Sequence, residues 1–582
     1  MGLIRKLLFF LNKRQKIATI FLTIMIFIGA LLETLGVSAI IPIAQMMMSP
    51  ESIYEEQYVV WIAEHFNLNG TQAIFMFMLG AMMTIYVVKN LYLLLLSYVQ
   101  AKFVNNNRAR TQAKLLEWYL NRPYEYFLYA DVSEILRIIR SDIQNVFAIL
   151  LNLMQILTEI LVILCIGVLL FVTDWKMTLF IALLVIVITL VVMKGLKNQI
   201  GALGRKDQGY VAVLTKWILQ SMTGIKIVKV TQREDYFDEH YREDADAQAR
   251  MNTRYAVLST VPKLLLETVF ICGILLYLML CMSNGADIVQ LGAVISAFAV
   301  AAFRVLPSVS RVNTYLANLA YYEPSLTTIY NMVKEKGYQD VFGGTQKTEE
   351  KRENVQPFTI KDKIELKGVT FAYPNTEKKI LNLADMELPI GSSVGIKGPS
   401  GAGKTTVIDV LLGLLEIQEG VLLCDGADIS KHKPEWLSHI GYIPQSVYLT
   451  DDSIKMNIAF GLNEQDIDEE RVWEVLREAQ MEGFVRELPE GIHTAVGEQG
   501  VRISGGQKQR LGIARALYHN PEILIFDEAT SALDNNTETA IMDAIEQFKG
   551  RKTMIIIAHR LRTIEQCDII YEVNNGRIVR ER

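Results

Sequence analysis

Six apolar stretches, at about residues 17–48, 72–100, 142–173, 175–198, 256–283 and 286–312, dominate the first 310 or so residues of this 582-residue chain. Each exceeds the ~18 consecutive apolar residues that suffice to cross a bilayer as a helix. A water-soluble core of ordinary size has no room for six such runs, whereas a helical bundle in lipid satisfies its backbone polar groups within each segment. The sequence therefore predicts an α-helical transmembrane domain of six spans over residues 1–332. Half of the chain, 51%, is hydrophobic, and most of that excess lies in these runs.

Lys and Arg in the connections predict the orientation, since basic loops stay on the cytoplasmic side. Arg5, Lys6, Lys13, Arg14 and Lys16 precede the first span. Lys102, Arg108, Arg110 and Lys114 follow the second, and Lys194, Lys197, Arg205 and Lys206 follow the fourth. The first connection carries Glu51, Glu55, Glu56 and Glu64 and no Lys or Arg, so it faces out, and both termini are expected in the cytoplasm. The long inner connections, 101–141 and 199–255, are rich in helix formers and are expected to continue the spans roughly 30 Å beyond the bilayer.

With 58 Lys and Arg against 63 Asp and Glu, the net charge is −5, which gives no footing for nucleic acid. Five widely spaced cysteines without a CxxC pair read as buried thiols. The first residues, MGLIRKLLFFLNKRQK, lack a small-residue cleavage site and read as an interfacial amphipathic helix. Residues 333–360 are polar and glycine-bearing, the composition of a linker. From 361 to 582, short strand-like runs alternate with helical ones, which predicts an α/β domain.

The strongest motif in that domain is Gly398-Pro399-Ser400-Gly401-Ala402-Gly403-Lys404-Thr405, between a strand over Ser393–Lys397 and a helix over Thr406–Leu415. It fits the P-loop pattern in the P-loop context. Its glycines let backbone N–H groups turn toward phosphate oxygens, Lys404 neutralises their charge, and the Thr405 hydroxyl can ligate Mg²⁺. A second run, Ile523-Leu524-Ile525-Phe526, ends in Asp527 and Glu528. Asp527 suits the Mg²⁺ shell, and Glu528 suits a group that polarises the attacking water.

The stretch Ile503-Ser504-Gly505-Gly506-Gln507 resembles the LSGGQ signature of the ATP-binding-cassette proteins, with Ile for the usual Leu. That resemblance implies further roles. Tyr373 would stack on adenine, Gln445 would be the Q-loop glutamine near the metal, Asp534 would lie in the D-loop, and His559 would be the switch histidine. Thr406, just after the P-loop, would join the phosphate site. ATP and Mg²⁺ are the implied cofactors. The family's cassettes pair so that Ser504, Gly505, Gly506 and Gln507 of one copy complete the site built on Lys404 of the other. One cassette per chain thus implies a second copy of the chain, a homodimer.

Six spans followed by one cassette resemble the half-transporters of type I ABC exporters, which implies ATP-driven alternating access in a bacterial inner or plasma membrane. Thr494-Ala495-Val496-Gly497-Glu498 resembles the exporter x-loop, expected to meet the turns near Tyr124 to Asp131 and Trp217 to Gly224. Residues 51–66 gather Tyr54, Tyr58, Trp61, Ile62 and Phe66 near one helical face, an external helix suited to a membrane surface. That helix, Glu33-Thr34, Pro262-Lys263 with Glu267, and Arg304 before Pro307 resemble PglK-type flippases of lipid-linked oligosaccharides. Lys89, Lys263 and Arg304, with Tyr58 and Trp61, are the candidates for contacting such a substrate, a polyprenyl-pyrophosphate glycan drawn from membrane lipid. Glu33, Glu159 and Glu267 join them as costly charges at membrane depth. Lys263 and Glu267, four residues apart, can instead pair with each other. The alternative is a multidrug or simple-lipid exporter of the lipid A kind.

Overall fold

The computed structural model describes residues 3–10, 12–38, 61, 64–66, 71–173, 175–283, 288–336, 360–374, 376–497, 500–528, 547–557 and 564–582. Contacts divide the chain into two compact units, one comprising Met1–Arg122 and Ala130–Lys347, the other Pro123–Tyr129 and Thr348–Arg582.

The first unit is helical. A short amphipathic helix, α1 (Leu3–Phe10), is followed by α2 (Lys13–Ser38), α3 (Thr71–Leu120) and, after the brief α4 (Tyr124–Phe127), by α5 (Val132–Arg137). A π-helical stretch over Ile138–Asp142 leads into α6 (Ile143–Thr173), then α7 (Trp175–Thr223), the short α8 (Ile225–Thr231), α9 (Glu234–Ser283) and α10 (Ile288–Lys336). Five stretches, in α2, α3, α5–α6, α7 and α9, are long and apolar enough to cross a membrane among the described residues. The sixth helix, α10, spans 49 residues. Helices of 49 or 50 residues such as α3, α7, α9 and α10 reach about 75 Å at 1.5 Å per residue, more than twice a bilayer core. The inner connections therefore do continue the spans.

Buried Leu, Ile, Val and Met form most of the core of this bundle, and small and aromatic residues make its closest crossing. Gly204 on α7 lies against the backbone of Tyr321 on α10, so close that a Cβ there would sit 2.0 Å from the Tyr321 carbonyl oxygen. Beside this crossing Tyr321 stacks on Tyr255, ring centroids 4.1 Å apart. At the π-helical stretch the fully buried Asp142 pairs with Arg137 at 3.1 Å and accepts hydrogen bonds from Ser325 and Gln208, each at 2.8 Å. A buried carboxylate persists only with such partners.

The second unit carries two sheets, a four-stranded antiparallel one ordered β2-β1-β4-β5 and a six-stranded one ordered β10-β9-β3-β8-β7-β6. The ranges are β1 Lys363–Phe371, β2 Leu381–Pro389, β3 Ser393–Lys397, β4 Glu419–Cys424, β5 Ala427–Asp428, β6 Ile440–Ile443, β7 Ile523–Asp527, β8 Thr553–Ile557, β9 Ile569–Asn574 and β10 Arg577–Arg580. Strands β9, β3, β8, β7 and β6 run parallel. Every residue of β7 and β8 is buried, as expected of a parallel sheet covered on both faces. The helix after the P-loop, α11 (Lys404–Leu411), starts two residues earlier and ends four earlier than its sequence pattern predicts, because the loop turns directly into it at Gly403 and the chain leaves at Leu412. Its end is pinned by Trp436, whose indole N–H donates to the Leu411 carbonyl at 2.8 Å.

Candidate nucleotide and substrate sites

The parallel sheet delivers its strand ends to one crevice, the usual ligand position in open α/β folds. From β3 the chain enters the P-loop at Gly398, whose φ is 152° and whose missing Cβ would lie 2.3 Å from the Val573 carbonyl oxygen. At the other end Gly403 adopts φ 104°. Pro399, Ser400, Gly401 and Ala402 span between these two glycines, and only glycine tolerates both positions. Lys404 is buried, its ammonium donating to the carbonyls of Gly398 and Pro399 at 3.0 and 3.1 Å. Thr405 is exposed beside it, and Thr406, buried, shares a 3.1 Å hydrogen bond with the Tyr373 hydroxyl. Tyr373 is thus anchored over the first turn of α11 and packs edge-on against Phe371, centroids 5.1 Å apart.

The acids arrive from β7. Glu528 continues the ladder by donating its N–H to the Ile557 carbonyl at 3.0 Å, then turns with φ 50°, a left-handed conformation that costs a non-glycine residue of order 1 kcal/mol. Its carboxylate accepts a 2.7 Å hydrogen bond from Gln445 Nε2. Gln445 and Glu528, 83 residues apart in the chain, therefore meet. Burial raises the pKa of Asp527, and the Glu528 charge raises it further, opposed by the Tyr442 hydrogen bond and the Lys404 charge. Such a carboxylate gains most from a nearby cation. Thr405, Gln445 and Asp527 each carry a hard oxygen donor, the type a divalent cation takes jointly with phosphate oxygens. Asp409 on α11 is also held up, to about 6, first by burial and then by the Asp527 charge.

Two partners of this site escape motif reading. Tyr442 donates its hydroxyl to Asp527 Oδ2 at 3.3 Å, and the buried Gln509 donates to the Pro444 carbonyl at 3.1 Å. The signal for Tyr442 was its place three residues before Gln445 on a strand. Gln509 lies on α12 (Gly505–Leu517), whose N-terminus forms a capping box: Ser504 Oγ accepts from Gln507 N at 3.3 Å and Gln507 Oε1 accepts from Ser504 N at 2.9 Å. Nothing lies within 4 Å of where a Cβ on Gly505 would sit, and Gly506 follows it in the first turn. Asp534 and His559 lie outside the described residues.

A family profile described as "ABC transporter transmembrane region" matches residues 17–303, and one described as "ABC transporter" matches residues 381–531. An ATP-dependent lipid A-core flippase of Desulfotalea psychrophila is 31% identical over 71% of this chain and 70% of its own. The chain belongs to the ABC transporter family. A second relative, the ATP-dependent lipid A-core flippase of Saccharophagus degradans, is 32% identical over 64% of this ABC protein, which spans 61% of that relative's length. A bacterial Atm1-family ABC exporter solved with ATP bound has the same fold, with a TM-score of 0.75 at 21% identity over 98% of this chain and 95% of that one. The type I exporter architecture of a multi-pass membrane region followed by an ATP-hydrolysing cassette is thereby established.

In the ABC cassette's unit, α4 is bonded at one corner. Glu125 accepts from the Glu416 N–H at 2.6 Å and the Tyr129 hydroxyl donates to the Pro374 carbonyl at 3.4 Å. The x-loop was expected against this turn. The described part of that loop bonds through its backbone to Ser453, by a bridge from Ala495, and to Ile454, whose N–H donates to the Thr494 carbonyl.

The intramembrane candidates separate. Lys263 and Glu267 are both exposed, and no ion pair joins them among the described residues, because their side chains on α9 point to the surface of the unit without meeting. Arg311 and Glu159 do form a bidentate pair, Arg311 Nη2 to Glu159 Oε2 at 3.0 Å, so Glu159 is committed to structure. Lys89 lies beside Gly36, where a Cβ would meet its Nζ at 3.4 Å, and over the Tyr86 ring at 4.3 Å. Trp61 is exposed and stacks on His65, centroids 5.2 Å apart. Tyr58 and the side chain of Arg304 lie outside the described residues.

Proposed function

We propose that two copies of this chain form a homodimeric exporter that uses ATP, with Mg²⁺, to flip an anionic glycolipid from the cytoplasmic to the outer leaflet, with termini and cassettes in the cytoplasm. The observation that carries the engine is the 2.7 Å contact of Gln445 with Glu528 at the mouth of a P-loop whose Lys404 is aimed inward. In this reading Lys404 and the loop N–H groups hold the β and γ phosphates. Glu528 takes the proton of the attacking water, and Gln445 orients that carboxylate and senses the phosphate. Thr405, Gln445 and Asp527 hold the Mg²⁺, which supplies charge neutralisation on the phosphates. Ser504, Gly505, Gly506 and Gln507 close over the partner copy's nucleotide with the N-terminal end of α12, which favours anions. Tyr373 stacks on adenine, and Asp534 and His559 complete the two sites across the interface.

For the substrate, two relatives bearing the name lipid A-core flippase support a phosphorylated saccharolipid of the lipid A kind. The exposed Trp61 and the aromatic pattern of residues 51–66 favour a second reading, a polyprenyl-pyrophosphate glycan, with Lys89, Lys263, Arg304 and Tyr58 near its headgroup. Both headgroups are anionic sugars on long apolar chains. ATPase stimulation of the purified protein in nanodiscs separates them. A lipid A-core lipid is expected to stimulate several-fold at concentrations where phosphatidylcholine does nothing. Stimulation by the polyprenyl-linked glycan alone would transfer the assignment to the second reading, and stimulation by neither would refute the glycolipid class.

A further inference from the structure

At the end of the bundle from which the chain passes to the cassette, a cavity of about 730 Å³ opens among α1, α2, α3, α6 and α10. Its polar side carries four cations, Arg14, Lys102, Arg110 and Lys114, and no carboxylate is among its lining residues. Amides frame them: Asn12 and Gln15 cap α2 reciprocally at 2.8 and 2.9 Å, and Gln15 donates to the buried Asn107 of α3 at 2.8 Å. The helix start they fix adds its positive end to the same space. Opposite stand apolar groups, Phe10, Ala18, Val99, Phe103, Val146 and Phe147. One to two turns deeper, Ile20 and Phe21 on α2 and Leu94, Leu95 and Tyr98 on α3 are exposed, a surface made for acyl chains.

Arg14, Lys102 and Arg110 set three like charges around one cavity, and these repel each other unless an anion joins them. The place is the membrane interface, because Arg14 opens the first span and Lys102 lies where the apolar stretch of the second ends. A soluble nucleotide would need a donor for its base and would gain nothing from the aliphatic surface below. We propose that this cavity is a resident site for a multiply anionic phospholipid of the cassette-side leaflet, its phosphates on Arg14, Lys102 and Arg110 and its chains along α2 and α3. The site is separate from the transported substrate. By filling the space between α1–α2 and α10, the lipid would brace α1, which is already fastened to α10 by the 2.8 Å bond from Lys6 to Thr327.

Native mass spectrometry of the full-length dimer released from detergent tests this, with cardiolipin, phosphatidylglycerol, phosphatidylcholine and inorganic pyrophosphate as separate probes. Cardiolipin is expected to stay bound, and phosphatidylcholine to be lost. The triple variant Arg14→Gln, Lys102→Gln, Arg110→Gln is expected to weaken cardiolipin retention by about tenfold or more. Ala18→Trp, which fills the cavity while keeping every charge, should do the same, while Lys102→Arg should retain the lipid. Basal ATPase activity reports that each variant is folded, since none of these residues touches the nucleotide site. Unchanged cardiolipin retention in both the triple and the Ala18→Trp variants would overturn the proposal, as would retention of pyrophosphate without any lipid, which would make the site one for a free anion.

Discussion

In the proposed mechanism Glu528 has to be held just off its strand to act as a base, and the left-handed turn after Asp527, together with the Gln445 hydrogen bond, would do that. Glu528→Gln is expected to keep ATP binding and lose turnover by a factor of about 100 or more; full hydrolysis in that variant would remove Glu528 from the role. Lys404→Ala is expected to abolish nucleotide binding, read by fluorescence of a labelled ATP. Two thiols report on cassette packing. Burial pushes Cys567 up to about 11 and Cys424 to about 12, so both stay protonated at pH 8, and the thiolate is the reactive form. Maleimide mapping at pH 8 should leave both unmodified in native protein and label both after unfolding, with reaction in the folded state appearing only above about pH 10. The P-loop, Asp527 and Glu528 were legible as candidates because phosphate chemistry calls for a glycine-rich loop, a lysine and nearby acids, and Gln445 because its stretch resembles the family's Q-loop. Tyr442 and Gln509 were not read: the place of Tyr442 three residues before Gln445 was its one signal, and a glutamine on a helix carries none until the fold turns it toward Pro444.

Among the helices, hydrophobic runs located the spans but not their ends. α3, α7, α9 and α10 continue well past the apolar stretches, since polar helix formers extend a helix without adding hydropathy. The i,i+4 spacing of Lys263 and Glu267 suggested a pair that does not form, while Glu159 and Arg311, 152 residues apart, do pair; spacing along one helix cannot reveal partners on another. Two packing sites give element-scale tests. Asp142→Ala would leave Arg137 with Glu134 alone, at 3.1 Å, and would strip Ser325 and Gln208 of their acceptor; it is expected to cost about 1–3 kcal/mol, seen as a fall in the Tm of the purified protein. Gly204→Leu must push α7 away from the Tyr321 carbonyl, an overpacking of about 1–3 kcal/mol or more, again read as Tm. Unchanged Tm in both would mean that the α7–α10 and Asp142 contacts do not bear on stability.

In the proposed homodimer one cassette per chain sets the logic of the whole molecule, because its P-loop and its signature helix would serve different nucleotides. A mixed dimer of Lys404→Ala and Ser504→Arg chains retains one intact composite site. It is expected to occlude one ATP, whereas neither parent homodimer occludes any; no occlusion in the mixture would argue against shared sites. The substrate was the least legible property, since the sequence pointed to a polyprenyl-linked glycan while relatives bear the name lipid A-core flippase. In the proposed dimer a headgroup would be chosen by surfaces from both copies, which no local motif encodes. The decisive measurement is transport itself: purified protein in liposomes carrying a labelled lipid A-core lipid in both leaflets, with ATP added on the cassette side. ATP-dependent loss of label from the cassette-side leaflet in wild type, abolished by Glu528→Gln, is the predicted result. Equal leaflet distribution in the two proteins, with ATP hydrolysis intact in wild type, would contradict a lipid flippase.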